Sequence, residues 1–390
     1  MKLVVHWTTW AALSLVVTLS GCSKPYLHPQ ADPQNSTFPG ILDVLAVTNH
    51  VHVLLIHGMC THDPSWVTAT NASLKSALNL SQTKPAEIIQ LGSEGAQLYI
   101  TELSSGPRVV KTFAILWSPI DAPAKKTLCY DASESTPLCE APFSRIRASV
   151  NSKLKSQILD DCLSDAMYYI GEDGGQKIRE AVKEAVVMAL SGGRPSRTHE
   201  LSTLSEETAP LFVISESLGS KILFDSIIEL ANQSESARNA MAVALSRMVE
   251  IYMAANQLPI MSLAYKARLA SPGGARVEER VLASPISELA QIAVLRKFGR
   301  QTAQAAGRTT LPEESLRVIA FSDPNDLLSY TLSQTNVGVT GIDITDVLVS
   351  NDFTWFGLFE NPLTAHEGYG DNDVFKRVIR CGSKGVREPC

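Results

Sequence analysis

Four short segments hold residue types suited to nucleophilic chemistry. The first, 211–221 (LFVISESLGSK), places Ser217 in a Ser-x-Ser-x-Gly turn between an apolar run and an amphipathic helical pattern. A hydroxyl there stands at a helix N-terminus, where the dipole and free N–H groups favour a developing anion. Small residues at 215 and 219 let strand and helix approach closely. Taken alone, such a turn suits a serine N-cap equally well. The second segment is His57-Gly58-Met59-Cys60, directly after another apolar run; the third, 322–326 (SDPND), carries Asp323 and Asp326; the fourth, 364–370, reads as a glycine-rich loop carrying His366. Hydroxyl, imidazole and carboxylate together can make a nucleophile, a general base and the acid that orients it. His62-Asp63 offers two metal-ligand types with no third at credible spacing, so neither a metal nor another cofactor is expected. Lys221 lies four residues after Ser217, which misses the three-residue spacing of Ser–Lys enzymes.

Positioning such groups needs a rigid frame, and the hydrophobic pattern supplies one. The runs 51–56, 111–117, 211–214, 249–254, 316–321 and 346–349 read as strands, and 97–102 pairs with the second across a Gly-Pro turn. Helical patterns cover 65–80, 221–230 and 374–379. The alternation predicts an α/β fold, with a mostly parallel central sheet flanked by helices. Between the strands ending at Trp117 and starting at Leu211 lies more chain than a crossover needs, helical in pattern at 146–170 and 177–190. A helical insertion over about 120–205 is expected, either as a cap over the site or as padding outside the sheet.

The strand, Ser-x-Ser-x-Gly turn and helix around Ser217 resemble the nucleophile elbow of the α/β-hydrolases, Gly-x-Ser-x-Gly, with Ser215 standing where glycine is usual. The resemblance covers most of 42–380 and implies the α/β-hydrolase fold. It also implies roles. Ser217 would be the nucleophile, and the Met59 and Leu218 amides would form the oxyanion hole. His57 would position its loop. The acid follows the strand 316–321, where Asp326, ahead of Leu327-Leu328, fits better than the alternative Asp323. His366 would be the base, and the order Ser217, Asp326, His366 is that of the family. The implied activity is cleavage of an ester-type acyl bond through an acyl-enzyme, as in a carboxylesterase or lipase, without cofactor. An inactive family member serving in binding or structure is the alternative, to which Ser215 lends some support. Trp355, Phe356, Leu358 and Phe359, just before His366, could line an acyl pocket or pack on the core.

Composition and termini bound the setting. The 390 residues are 45% hydrophobic with a formal net charge of −6 and no basic block, which argues against nucleic acid as a partner. After Met1-Lys2 and an apolar run, Leu19-Ser20-Gly21-Cys22 resembles the lipobox of bacterial lipoproteins. That resemblance implies a signal peptide at 1–21 and a lipid on Cys22. A proline-containing tether would span 22–40, and the hydrolase domain 41–390. The protein would then be held at a cell-envelope membrane by its lipid, acting on a small-molecule or lipid acyl substrate. Six further cysteines suit an oxidising compartment, and short separation favours Cys129–Cys139 and Cys381–Cys390, leaving Cys60–Cys162.

Overall fold

Apolar runs of β-branched and aliphatic residues assemble one mixed sheet of ten strands flanked by helices, an α/β architecture. The computed structural model describes residues 22–128, 148–194, 204, 206–269, 286–308, 315–333 and 340–390. The strands are β1 (Gln30–Asp32), β2 (His50–Ile56), β3 (Gln82–Thr83), β4 (Glu87–Leu91), β5 (Ala96–Ser105), β6 (Arg108–Leu116), β7 (Leu211–Glu216), β8 (Met248–Ala254), β9 (Leu316–Ser322) and β10 (Ile342–Leu348). Their spatial order is β1-β10-β9-β8-β7-β2-β6-β5-β3, with β4 also paired to β5.

The parallel arrangement holds at the centre only. From β6 through β2, β7, β8 and β9 to β10 every pairing is parallel. At the margins β1, β3, β4 and β5 pair antiparallel. The reason is local at one edge: Gly106-Pro107 joins β5 to β6 directly, and so short a link can only make a hairpin. The expectation of a mostly parallel sheet is corrected to that extent.

Alternation along the central strands sends successive side chains to opposite layers. On one face, Leu54, Ile56, Val213, Ile251 and Val318 pack under helices α3 (Glu172–Leu190), α4 (Leu218–Ala231), α5 (Glu235–Leu245) and α6 (Ser287–Ala305). On the other, Val53, Leu55, Phe212, Ile214 and Phe321 meet α1 (Ile41–Thr48), α2 (Pro64–Ala77) and α8 (Asp373–Cys381), which follows α7 (Pro362–Glu367). The insertion supplies α3 to the first of these layers. Ahead of α3 it runs through Ser149–Lys153, a π-helical stretch Leu154–Leu163, and Ser164–Ile170.

Within residues 22–40, expected as a tether, two short stretches make ladder contacts. β1 lies against β10, and Cys22–Ser23 pairs antiparallel with Thr354–Trp355. Cys60–Cys162 and Cys381–Cys390 are disulfides; Cys129 and Cys139 lie outside the described residues. Among the described residues no helix is long and apolar enough to cross a membrane.

Candidate active site

Ser217 occupies the single residue between β7 and α4. Its φ is 50°, in the left-handed region, and its N–H donates to the Ala254 carbonyl at 2.8 Å on the neighbouring strand. Two glycines make this turn possible. A Cβ at Gly219 would overlap the His57 carbonyl, and one at Gly58 would come within 2.7 Å of the Ser217 Cβ. Ser215 is tolerated in place of glycine because its buried hydroxyl has a partner, the Ser220 hydroxyl 2.9 Å away.

His366 and Asp326 converge on that serine from the far side of the sequence. Ser217 Oγ lies 3.2 Å from His366 Nε2, and His366 Nδ1 lies 2.9 and 3.0 Å from the two Asp326 oxygens. With Nδ1–H donating to the carboxylate, Nε2 is left to accept from the serine hydroxyl. The Asp326 side chain is fully enclosed and the His366 side chain nearly so. Asp326 also accepts from the Leu328 N–H at 3.0 Å and the Tyr369 hydroxyl at 3.1 Å. His366 was expected on a glycine-rich loop, but it stands on the helix α7. Asn361 caps that helix, accepting from the Leu363 N–H at 3.1 Å, and Pro362 fills its first turn.

Asp323 does not reach the imidazole hydrogen bonds. It accepts from the Asn351 N–H at 2.6 Å and the Asn325 N–H at 2.9 Å, and it pairs with Glu360. Burial pushes both carboxyls up, so the pair can share a proton.

The loop after β2 faces the same serine. Met59 and Leu218 are both buried; Met59 lines the cavity beside Ser217, and Leu218, as the first residue of α4, has no intrahelical acceptor for its N–H. Met59 Sδ accepts from Gln257 Nε2 at 3.6 Å. His57 is fully buried. Its Nδ1 donates to the Gly58 carbonyl at 2.8 Å, and its Nε2 accepts from the Trp117 N–H at 3.0 Å. Burial, aided by the neighbouring His62, holds its pKa well below the usual value, so it is a neutral brace. His62 turns its Nδ1 to the Cys60 carbonyl, and Asp63 caps α2 through the Ser65 N–H. Lys221 is buried and ion-paired with Asp225 and Glu288.

A cavity of about 210 Å³ opens at Ser217 and runs between α2 and α8. Trp66, Ala69, Ser73 and Ala77 face it from one side of α2, at helical spacing, and Phe375 and Ile379 from α8. Sequence patterns alone do not single out these helices as its walls. Glu216, next to the serine, also lines it. Burial pushes its carboxyl up to about 7, against a hydrogen bond with Trp66 and the nearby His366. Its importance is not visible in the sequence, where it is the variable residue of Ser-x-Ser. Tyr369 is more accessible to reasoning, since it follows His366 by three residues, one helical turn. Trp355, Phe356, Leu358 and Phe359 do not line the cavity and do not pack on the core; they are exposed. Among its described residues, the insertion does not line the cavity either.

No protein-family model matches the chain, and no curated protein matches it in sequence.

Proposed function

We propose that this chain is a serine hydrolase of the α/β-hydrolase type, cleaving an ester-type acyl bond at the cell envelope. The observation that carries the reading is the continuous line from Ser217 Oγ through His366 to Asp326, set on a turn with φ 50°. In this scheme His366 Nε2 takes the Ser217 proton as Oγ attacks the carbonyl carbon. The Met59 and Leu218 amides hold the oxyanion, and Asp326 stabilises the imidazolium. His366 then protonates the departing alkoxide, leaving acyl-Ser217. Water, deprotonated by the same imidazole, attacks the acyl carbon, and a carboxylic acid leaves with Ser217 restored. No step requires a cofactor.

The apolar cavity between α2 and α8 suits an acyl chain and favours a carboxylesterase or lipase-like substrate. The lipobox-like sequence at 19–22 supports export and a lipid on Cys22. Turnover of short p-nitrophenyl esters by the wild type and by Ser217→Ala tests the assignment. The substitution is expected to lower kcat by about 10,000-fold or more with the fold unchanged. Equal turnover by the two proteins would contradict it.

A further inference from the structure

Residues 353–359 form a hairpin tip whose apolar side chains serve neither the core nor the cavity. The Trp355 N–H donates to the Phe359 carbonyl at 2.7 Å, and the Leu358 N–H to the Trp355 carbonyl at 2.9 Å. The residues between, Phe356 and Gly357, have φ of 52° and 66°, the signature of a primed turn. Turn chemistry asks for Asn or Gly at the first of these, and a bulky aromatic there is disfavoured. The tip nevertheless presents Phe353, Trp355, Phe356, Leu358 and Phe359 to solvent, Leu358 at 88% and Phe359 at 62% exposure. Its base is fixed. Glu360 accepts from Asn325 Nδ2 at 2.7 Å and Thr354 Oγ1 at 2.9 Å, tying the tip to the turn that carries Asp326.

What covers these rings is indicated by the strand beside them. Cys22 stands opposite Trp355 and Ser23 opposite Thr354 in an antiparallel ladder. Backbones so paired lie about 5 Å apart, so a lipid on Cys22 would enter its bilayer right beside the tip. The ammonium of Lys24 stands 5.0 Å from the Phe353 ring centroid, placing a cation where headgroup phosphates would lie. Aromatic rings favour that interfacial layer.

We propose that the tip 353–359 is a second membrane contact, inserting its rings into the headgroup–acyl boundary of the bilayer that receives the Cys22 lipid. The inference rests on the reading of Cys22 as acylated. Two contacts fix the orientation of the domain on the bilayer as well as strengthening its attachment.

The test uses the full-length protein, purified from membranes and reconstituted in vesicles of phosphatidylethanolamine and phosphatidylglycerol with brominated acyl chains. Intact mass reports the Cys22 lipid separately. Comparison with Trp355→Phe isolates the emission of Trp355. That emission is expected to be quenched by the brominated chains. In a Phe356→Ser, Leu358→Ser, Phe359→Ser protein the quenching should disappear while dissolved p-nitrophenyl esters are cleaved at the wild-type rate. Unquenched Trp355 in a lipid-bearing protein would overturn the docking and leave the anchor standing, as would quenching that survives the triple substitution. A mass without lipid would overturn the anchor and this inference with it.

Discussion

Asp323 and Asp326 share one turn after β9, yet they face different partners. Asp326 touches the imidazole, so Asp326→Asn should leave the fold intact and lower kcat on p-nitrophenyl esters by about 10,000-fold, through the wrong tautomer of His366. Asp323 holds the Asn351 and Asn325 amides, so Asp323→Asn should cost about 1–3 kcal/mol in urea unfolding and retain most of the turnover. The reverse pattern in the two variants would exchange their roles. Glu216 gives a pH signature. Its folded carboxyl titrates near 7 against an ordinary value of 4.5, so between those pH values the native state holds a proton that the unfolded chain has lost. The Glu216 contribution to stability therefore falls as pH rises through this window. Glu216→Gln should make the pH dependence in this window less negative than in the wild type, read as melting temperature against pH; an identical dependence in both proteins would count against it. That Ser217, Asp326 and His366 would meet was legible in the sequence from the small-residue turn after one apolar run, the acids after another and the histidine near the C-terminus. The part played by Glu216 was not, because its surroundings, including the hydrogen bond with Trp66, come from residues as far as 150 positions away in sequence.

At the level of elements, the cavity is shaped by the small residues that α2 turns toward α8. Ala69 and Ala77 leave space that larger side chains would fill. Ala69→Phe should lower kcat/KM for an octanoyl ester by about tenfold and barely alter that for an acetyl ester. Equal losses on both would show that the channel does not hold the acyl chain. The central strands were readable because runs such as HVHVLLI are buried on both faces and leave few alternatives. β10 extends from Ile342, further than the apolar run at 346–349 suggested, because Asp343 and Thr345 sit within a ladder whose partner strand sets its length. The helix bearing His366 is hidden in the local pattern, which the glycines at 368 and 370 dominate. Asn361-Pro362, a cap followed by a first-turn proline, marks where it starts.

Across the whole molecule, the described part of the insertion is joined to the site's loop and does not line its cavity. Cys60–Cys162 closes a span of 102 residues, the Thr61 N–H donates to Asp161, and Lys125 pairs with Asp161 and Asp165. A Cys60→Ser, Cys162→Ser protein should lose about 2–5 kcal/mol in urea unfolding and lose turnover as the Gly58–Met59 backbone loosens. Wild-type stability and turnover in that variant would mean the bridge does not hold the loop. The alternation of strands and helices indicated the α/β class, whereas the antiparallel margins depend on pairings that periodicity does not encode. Everything in the proposed chemistry turns on the reactivity of Ser217. Its most direct measurement is reaction of the folded protein with a fluorophosphonate probe, with the adduct located by peptide mass spectrometry. One label per chain, on Ser217 and absent from Ser217→Ala, is the expected result; a folded wild type that takes no label, or takes it elsewhere, would contradict it.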